Sequence, residues 1–398
     1  MAGSIKDKVA IIGMGCTPFG EHWDKSVYDL IIDAAYEAYE DAGIGPNDIQ
    51  AAWFSTDHSK EVLSPGGNML SSSLKLRNIP ITRVENACAS GHEAIRNAAF
   101  AVASGMYDIV LALGVEKLKD TGSGGLGTGR GLHPVLEARR TAPGSFALIA
   151  SRKFIELGIT AEEGRRLLAM IAVKNHHNGA LHPKAHLRRE VTVEQVLQAP
   201  MVAWPLGLFD CCGNSDGAAA AILVRADIAK KFRKDPIYLK GIGLSVDQML
   251  PHNRPGFDWL GFEATRSAAR QAYEQAGIKN PRKELDIAEV HDCFTITELI
   301  IYEDLGFSSR GGGIISDIEN GAFTLEGELP VNADGGLKSF GHPIGASAIR
   351  MTYEVYKQLQ GKAEQAQRQI KNPRLGLSHT LGGPPQVSAV AILGNEIG

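Results

Sequence analysis

Two nine-residue stretches, "CASGHEAIR" (residues 88–96) and "HPIGASAIR" (342–350), share the ending Ala-Ile-Arg at an offset of 254 positions. Each sets small residues ahead of a segment with helical apolar spacing, and the offset superposes Cys88 on His342. Other segments repeat in the same order. "AYEDAGI" (38–44) returns as "AYEQAGI" (272–278), an offset of 234, and "DIQAAWF" (48–54) stands opposite "DIAEVHDCF" (286–294), an offset of 238. Each half closes on a similar strand, "DGAAAAILV" (216–224) and "PQVSAVAIL" (385–393). Matches that keep their order while the offset grows slowly predict a duplicated chain.

Working outward, the local pattern is α/β. "KVAIIGMG" (8–15) and "PIYLKGIG" (236–243) read as buried strands punctuated by glycine. A helix follows each. Val27, Leu30, Ile31, Ala34, Ala35 and Ala38 line one face of the first, which stops at Gly43; Ala264, Ala268, Ala269, Ala272 and Ala276 mark the second. Such alternation predicts layered sheets, in two halves spanning 1–225 and 226–398. Equivalent helices of the halves would face each other, so that their N-termini bring Cys88 and His342 to one place. Residues from about 117 to 200 have no counterpart. They open glycine-rich and continue as helical runs near 145–157 and 161–178, an insertion expected to cover one face of the core.

Bulk properties exclude several classes. A net charge of −4 on 398 residues, with 22% charged and 44% hydrophobic side chains, argues against a nucleic-acid or membrane partner. No apolar run reaches the roughly 18 residues of a membrane span. The start "MAGSIKDKVAIIG" lacks a signal pattern. Five scattered cysteines form neither a disulfide framework nor a zinc spacing. Free thiols in a reducing, cytoplasmic setting are expected.

Cys88 has two readings: a small buried hydrophobe, or a nucleophile whose thiolate is favoured at a helix N-terminus. "NADGGLKSFGHPIGASA" (332–348) bears on the choice, because it sets His342 in a glycine-rich loop where a base for such a thiol belongs. "EVHDCFTITEL" (289–299) puts His291 and Cys293 two residues apart, on one face of extended chain. "SHTLGGPP" (378–385) adds a further glycine turn with His379.

In this order, "NACASG", "HDCF" and "GHPIGAS" resemble the thiolase superfamily, and "HDCF" with "HTLGG" is similar to its sterol-carrier-protein-2-type, archaeal and bacterial subgroup. "GVEKL", "VKNHHNGALHPKAH" and "SDGAAAAIL" agree, so that the resemblance covers essentially the whole chain. It implies a five-layer α-β-α-β-α sandwich, a homodimer, and coenzyme A as co-substrate. Residue by residue, it implies that Cys88 is the acylated nucleophile and His342 its base. His291 stands where many relatives have asparagine, and would join His342 in binding the thioester oxygen of an enolate. Cys293 would be the acid/base, replacing the C-terminal cysteine whose place Thr380 takes. The N–H groups of Cys88 and Gly382 would form a second oxyanion hole. Ser347, His379, Arg188 and Arg189 are candidate contacts to substrate or CoA.

The implied reaction is reversible thiolysis of a 3-oxoacyl-CoA. Benzoylsuccinyl-CoA is the bulky aromatic candidate substrate and acetoacetyl-CoA the small one. The insertion is short for the family, which implies a small zinc-ribbon/OB-fold partner that helps hold CoA. A decarboxylating ketosynthase-like acyltransferase, an aldolase and a non-catalytic scaffold subunit are the rival readings. Retention of both Cys88 and Cys293 argues against each. No metal is expected: His176, His177, His182 and His186 match no standard spacing. "GSGGLGTGRG" (122–131) lacks the strand-turn-helix frame of a phosphate loop. Cys211 and Cys212 read as packing or pocket wall, and Arg139–Arg140 as a solvated pair.

Overall fold

A computed structural model of the chain describes residues 3–57, 66–120, 141–248, 256–383 and 386–398. The glycine-rich run 122–131 and Arg139–Arg140 lie outside the described residues. The first half runs β1 (Val9–Cys16), α1 (Val27–Ala42), β2 (Ala51–Ser55), α2 (Asn68–Leu74), β3 (Ile81–Val84), α3 (Ser90–Ala103) and β4 (Ile109–Glu116). The insertion contributes α4 (Ala142–Leu157), α5 (Ala161–Leu181), α6 (Val193–Gln198) and a small hairpin, β5 (Met201–Ala203) with β6 (Leu206–Gly207); β7 (Gly217–Arg225) and the one-turn α7 (Ala226–Ala229) follow. The second half runs β8 (Ile237–Val246), α8 (Glu263–Ala276), α9 (Pro281–Glu284), β9 (Ile287–Glu289), α10 (Thr295–Asp304), α11 (Gly313–Glu319), α12 (Gly336–Ser339), α13 (Ile344–Leu359), β10 (Leu375–Gly382) and β11 (Val387–Gly394).

The large sheet has the order β3-β2-β4-β7-β1-β8-β11-β10-β9. Pairing along it is the same in both halves. β2 runs parallel to β4, as β9 does to β10; β4 is antiparallel to β7, as β10 is to β11; and β7 is antiparallel to β1, as β11 is to β8. β3 has no full counterpart, but the parallel bridge Ala288–Val331 stands in its place. The half-sheets meet where β1 and β8 pair antiparallel, through Ala10–Tyr238 and Ile11–Ile237.

α1 covers β1 and β7 on one side, and α8 covers β8 and β11 on the other, while α3 and α13 lie between the half-sheets and touch both. That sequence of helix, sheet, helix pair, sheet and helix is the expected five-layer order. The apolar face read for α1 is buried at all six positions, and Gly43 closes the helix with a φ of 69°. Both outer helices lie flush on glycine. A Cβ on Gly15 would fall 2.1 Å from the Ala34 carbonyl oxygen, and one on Gly243 would fall 2.0 Å from that of Ala268.

The central layer is tighter still. A Cβ on Gly114 would fall 2.0 Å from the Gly345 carbonyl oxygen, and one on Gly345 2.7 Å from that of Ser55. These glycines let the N-terminus of α13 press into the ends of β2 and β4. Ser55 Oγ donates to the Gly345 carbonyl at 2.7 Å, and Gly345 N–H donates to Glu116 Oε2 at 2.9 Å. Gly345→Ala should therefore destabilise the protein by about 1–3 kcal/mol or more, seen as a lower urea midpoint. Gly213→Ala, whose added methyl meets no described atom within 4 Å, should leave the midpoint in place.

Candidate active site

The repeated motifs at 88–96 and 342–350 meet. Cys88 lies two residues before α3, His342 two residues before α13, and His342 Nε2 stands 3.3 Å from Cys88 Sγ. Cys88 sits on a tight turn. Ala87 has a φ of 49°, an uncommon value for a residue with a Cβ, and Ser90 Oγ holds the turn by donating to the Ala87 carbonyl and accepting from Asn86 N–H. Gly382, at the end of β10, backs onto this turn. A Cβ there would lie 2.8 Å from the Asn86 carbonyl oxygen and 3.3 Å from the Cys88 nitrogen.

Hydrogen bonds set the tautomer of His342. Ser347 Oγ donates its proton to the Pro343 carbonyl at 2.9 Å, so toward His342 Nδ1, at 2.7 Å, it acts as an acceptor. Nδ1 then carries the ring proton, and Nε2 offers a lone pair to the thiol. Ser347 was expected to touch substrate; it is buried and orients the imidazole instead.

His291 and Cys293 lie in the turn between β9 and α10. The His291 ring stands edge-on to that of His342, with centroids 5.3 Å apart, and the donor atoms of Cys88, His291 and His342 all lie within 4.8 Å of one another. Cys293 Sγ contacts Thr297 Oγ1 at 3.8 Å. Cys88 is partly exposed, whereas His291, Cys293 and His342 are buried.

Burial dominates the electrostatics. It pushes the Cys88 thiol up to about 12, the Asp57 carboxylate adds to the rise, and the Gly383 N–H opposes it. Loss of water thus opposes the thiolate that the helix terminus favours. Burial also drives the Cys293 thiol well above its ordinary value, with the neighbouring Cys212 and Cys88 adding to the effect. It pushes the His291 imidazole down to about 3, and Arg350 pushes the same way, so His291 stays neutral.

The other sequence candidates go elsewhere. His379 turns to the opposite face of β10 from its neighbours, where Nε2 meets Ser388 Oγ at 2.9 Å and Thr265 Oγ1 of α8 at 3.3 Å. Strand alternation explains this, because Ser378 and Thr380 point inward and clasp His92 of α3 at 2.8 and 2.7 Å. Arg188 and Arg189 are exposed on the segment after α5. The four histidines of the insertion go to four separate partners: the Arg189 carbonyl, Glu190, Glu354 and Ser215. Cys212 N–H donates to the Cys293 carbonyl at 2.9 Å, which makes Cys212 part of the wall beside Cys293.

Sequence reading missed Asp292. Its carboxylate accepts Leu337 N–H at 2.5 Å, Lys338 N–H at 3.1 Å and Asn175 Nδ2 at 2.8 Å. It thus ties the loop carrying His291 and Cys293 to the loop carrying His342. The available signal was its place between His291 and Cys293, which turns it away from their shared face.

Two outcomes are expected from this geometry. Iodoacetamide should inactivate Cys88 about tenfold faster per pH unit from about pH 6 to about pH 9, because the raised thiol leaves little thiolate until the pH climbs; a plateau near neutrality would reveal a preformed thiolate–imidazolium pair. Ser347→Ala, which frees the ring of one neutral hydrogen bond worth about 0.5–1.5 kcal/mol, should slow alkylation by no more than about tenfold.

Comparison with known proteins places this geometry among relatives. Residues 9–227 match the family model described as thiolase, N-terminal domain, and residues 246–395 the model described as thiolase C-terminal domain-like. An acetyl-CoA acetyltransferase of Methanothermobacter thermautotrophicus is 40% identical over 388 residues, 96% of this chain and 98% of that protein. The benzoylsuccinyl-CoA thiolase subunit BbsB of Thauera aromatica is 34% identical over 384 residues, 95% of this chain and 96% of that one. Among solved structures, the Ltp2-ChsH2(DUF35) aldolase superposes with a TM-score of 0.83 at 24% identity, covering 99% of each chain, a likeness of fold alone.

Proposed function

This chain belongs to the thiolase family, and from that premise we propose that it uses Cys88 as a covalent nucleophile in the reversible thiolysis of a 3-oxoacyl-CoA. It is an acyltransferase of the thiolase class, whose members use coenzyme A as co-substrate. The observation that carries the assignment of roles is the 3.3 Å contact between His342 Nε2 and Cys88 Sγ, made by equivalent turns of two like halves, 1–225 and 226–398.

His342 takes the Cys88 proton as sulfur attacks C3 of the substrate. The C2–C3 bond breaks, leaving an acyl group on Cys88 and a CoA-ester enolate, which Cys293 protonates at C2. The thiolate of Cys293 then takes the proton of incoming CoA, CoA sulfur attacks the acyl group, and Cys88 leaves with the proton held on His342. Every proton borrowed is returned. Burial supports these roles, because a Cys293 thiol held above its ordinary range arrives protonated, and a neutral His291 offers an N–H to the enolate oxygen without a competing charge. His291 with His342, and the N–H groups of Cys88 and Gly382, are the proposed oxyanion sites.

Similarity to an acetyl-CoA acetyltransferase supports acetoacetyl-CoA as a substrate, and similarity to a benzoylsuccinyl-CoA thiolase subunit supports the aromatic alternative. A homodimer and a small partner subunit belong to the same proposal. β3, which leads directly into the Cys88 turn, is a terminal strand of the sheet among the described residues, and that edge supports the first. The subunit character of BbsB and the composition of the Ltp2-ChsH2(DUF35) aldolase support the second. Among the described residues no helix is long and apolar enough to cross a membrane.

Incubating the chain with each CoA ester and reading intact mass tests the assignment. Wild type should carry an acyl group on Cys88 and Cys88→Ala none; an adduct at another residue in that variant would move the nucleophile. Cys293→Ala should still acylate Cys88 but lose turnover by about 10²- to 10⁴-fold, and normal turnover would place the acid/base elsewhere.

A further inference from the structure

Cys88, His291 and His342 do more than line a reaction path. Their donor atoms form one compact set, all within 4.8 Å of one another, with Cys88 Sγ and His342 Nε2 at 3.3 Å. A tetrahedral zinc with bonds of roughly 2.0–2.3 Å holds its donors roughly 3.3–3.6 Å apart. The closest pair already meets that spacing, and the third donor reaches it by a shift of about an ångström. One sulfur and two imidazoles are a ligand set suited to a soft d¹⁰ cation, with a fourth position left for water.

Two independent features prepare the set for a cation. His291 is 1% exposed, and among the described residues its Nδ1 is buried without a hydrogen-bond partner, so no described neighbour of Nδ1 holds the ring to one tautomer. His342 has its outer nitrogen fixed by Ser347 Oγ, which passes its own proton to the Pro343 carbonyl. Metal-binding histidines are oriented by this kind of outer hydrogen bond, which points the bare nitrogen at the ion.

We propose that these three side chains form an inhibitory site for a thiophilic divalent cation such as Zn²⁺. On binding, the Cys88 S–H bond breaks, an Sγ–metal bond forms, and the proton leaves to solvent, since His342 Nε2 is itself occupied by the ion; no electrons are transferred. The ion removes the nucleophile and its base together. That it inhibits rests on the thiolase reading above; that it binds does not.

Cd²⁺ is the probe, added to chelator-stripped full-length protein while the thiolate-to-metal charge-transfer absorption is followed. Wild type should titrate to one equivalent per chain, and protein pre-acylated on Cys88 should show no band. Cys88→Ala should abolish the band, and Ser347→Ala should weaken binding by about 10- to 100-fold. Zn²⁺ should block thiolysis, and a chelator should restore it. No band in wild type, or an undiminished band in Cys88→Ala, which would place the ion at other thiols, overturns the proposal. His291→Ala binding as wild type does also overturns the three-ligand assignment. A Cys88-dependent band in a protein without thiolase activity would uphold the metal site and sink the thiolase reading; turnover that excess Zn²⁺ leaves untouched would do the reverse.

Discussion

Everything in this protein depends on the close approach of two helix N-termini, those of α3 and α13, between two half-sheets. Gly91, Gly114 and Gly345 are bare where any side chain would collide with backbone or a packed methyl. The strand ends complete the arrangement by crossing over: Glu116, closing β4, holds the Gly345 N–H of α13, while Gly382, closing β10, backs the turn before α3. Each half thus supports the reactive turn of the other. A close-packed interior transmits small displacements, so a misfit here would part sulfur from imidazole.

Burial then gives the site its chemical character. The thiols of Cys88 and Cys293 are raised and the His291 imidazole lowered by loss of water, so desolvation favours the uncharged form of all three. Charge in such a site is created only as bonds are made and broken, where fixed dipoles act strongly because water does not compete. The same desolvation leaves sulfur and ring nitrogens open to a soft cation. Reactive sites and metal sites share donors, and the outer hydrogen bond from His342 Nδ1 to Ser347 Oγ orients the ring for both.

Support for the site is shared among loops that are distant in sequence. Asp292 joins the β9–α10 turn to the start of α12, and Asn332 Oδ1 accepts the Val290 N–H at 2.7 Å. The fold itself does not select a substrate, as its likeness to an aldolase structure at 24% identity illustrates.

The repeat, strands β1 and β8 with helices α1 and α8, and the closing strands β7 and β11 were legible in the sequence, because apolar period, glycine stops and repeated segments are local signals; β10 was not, because its end, "SHTLGG", reads as a glycine turn. The pairing of Cys88 with His342 was expected from the repeat, which sets both in equivalent turns before helices, and from the need of a nucleophilic thiol for a base. Tertiary structure decided the rest. Nothing local says that His379 faces α8 while Ser378 and Thr380 clasp His92, because a strand's alternation fixes relative and not absolute facing. Nothing local says that Ser347 serves His342, that Asp292 bridges two loops, or that burial raises the Cys88 thiol. Partners and burial belong to neighbours brought in from remote parts of the chain, and both exist only once the two halves have closed on each other.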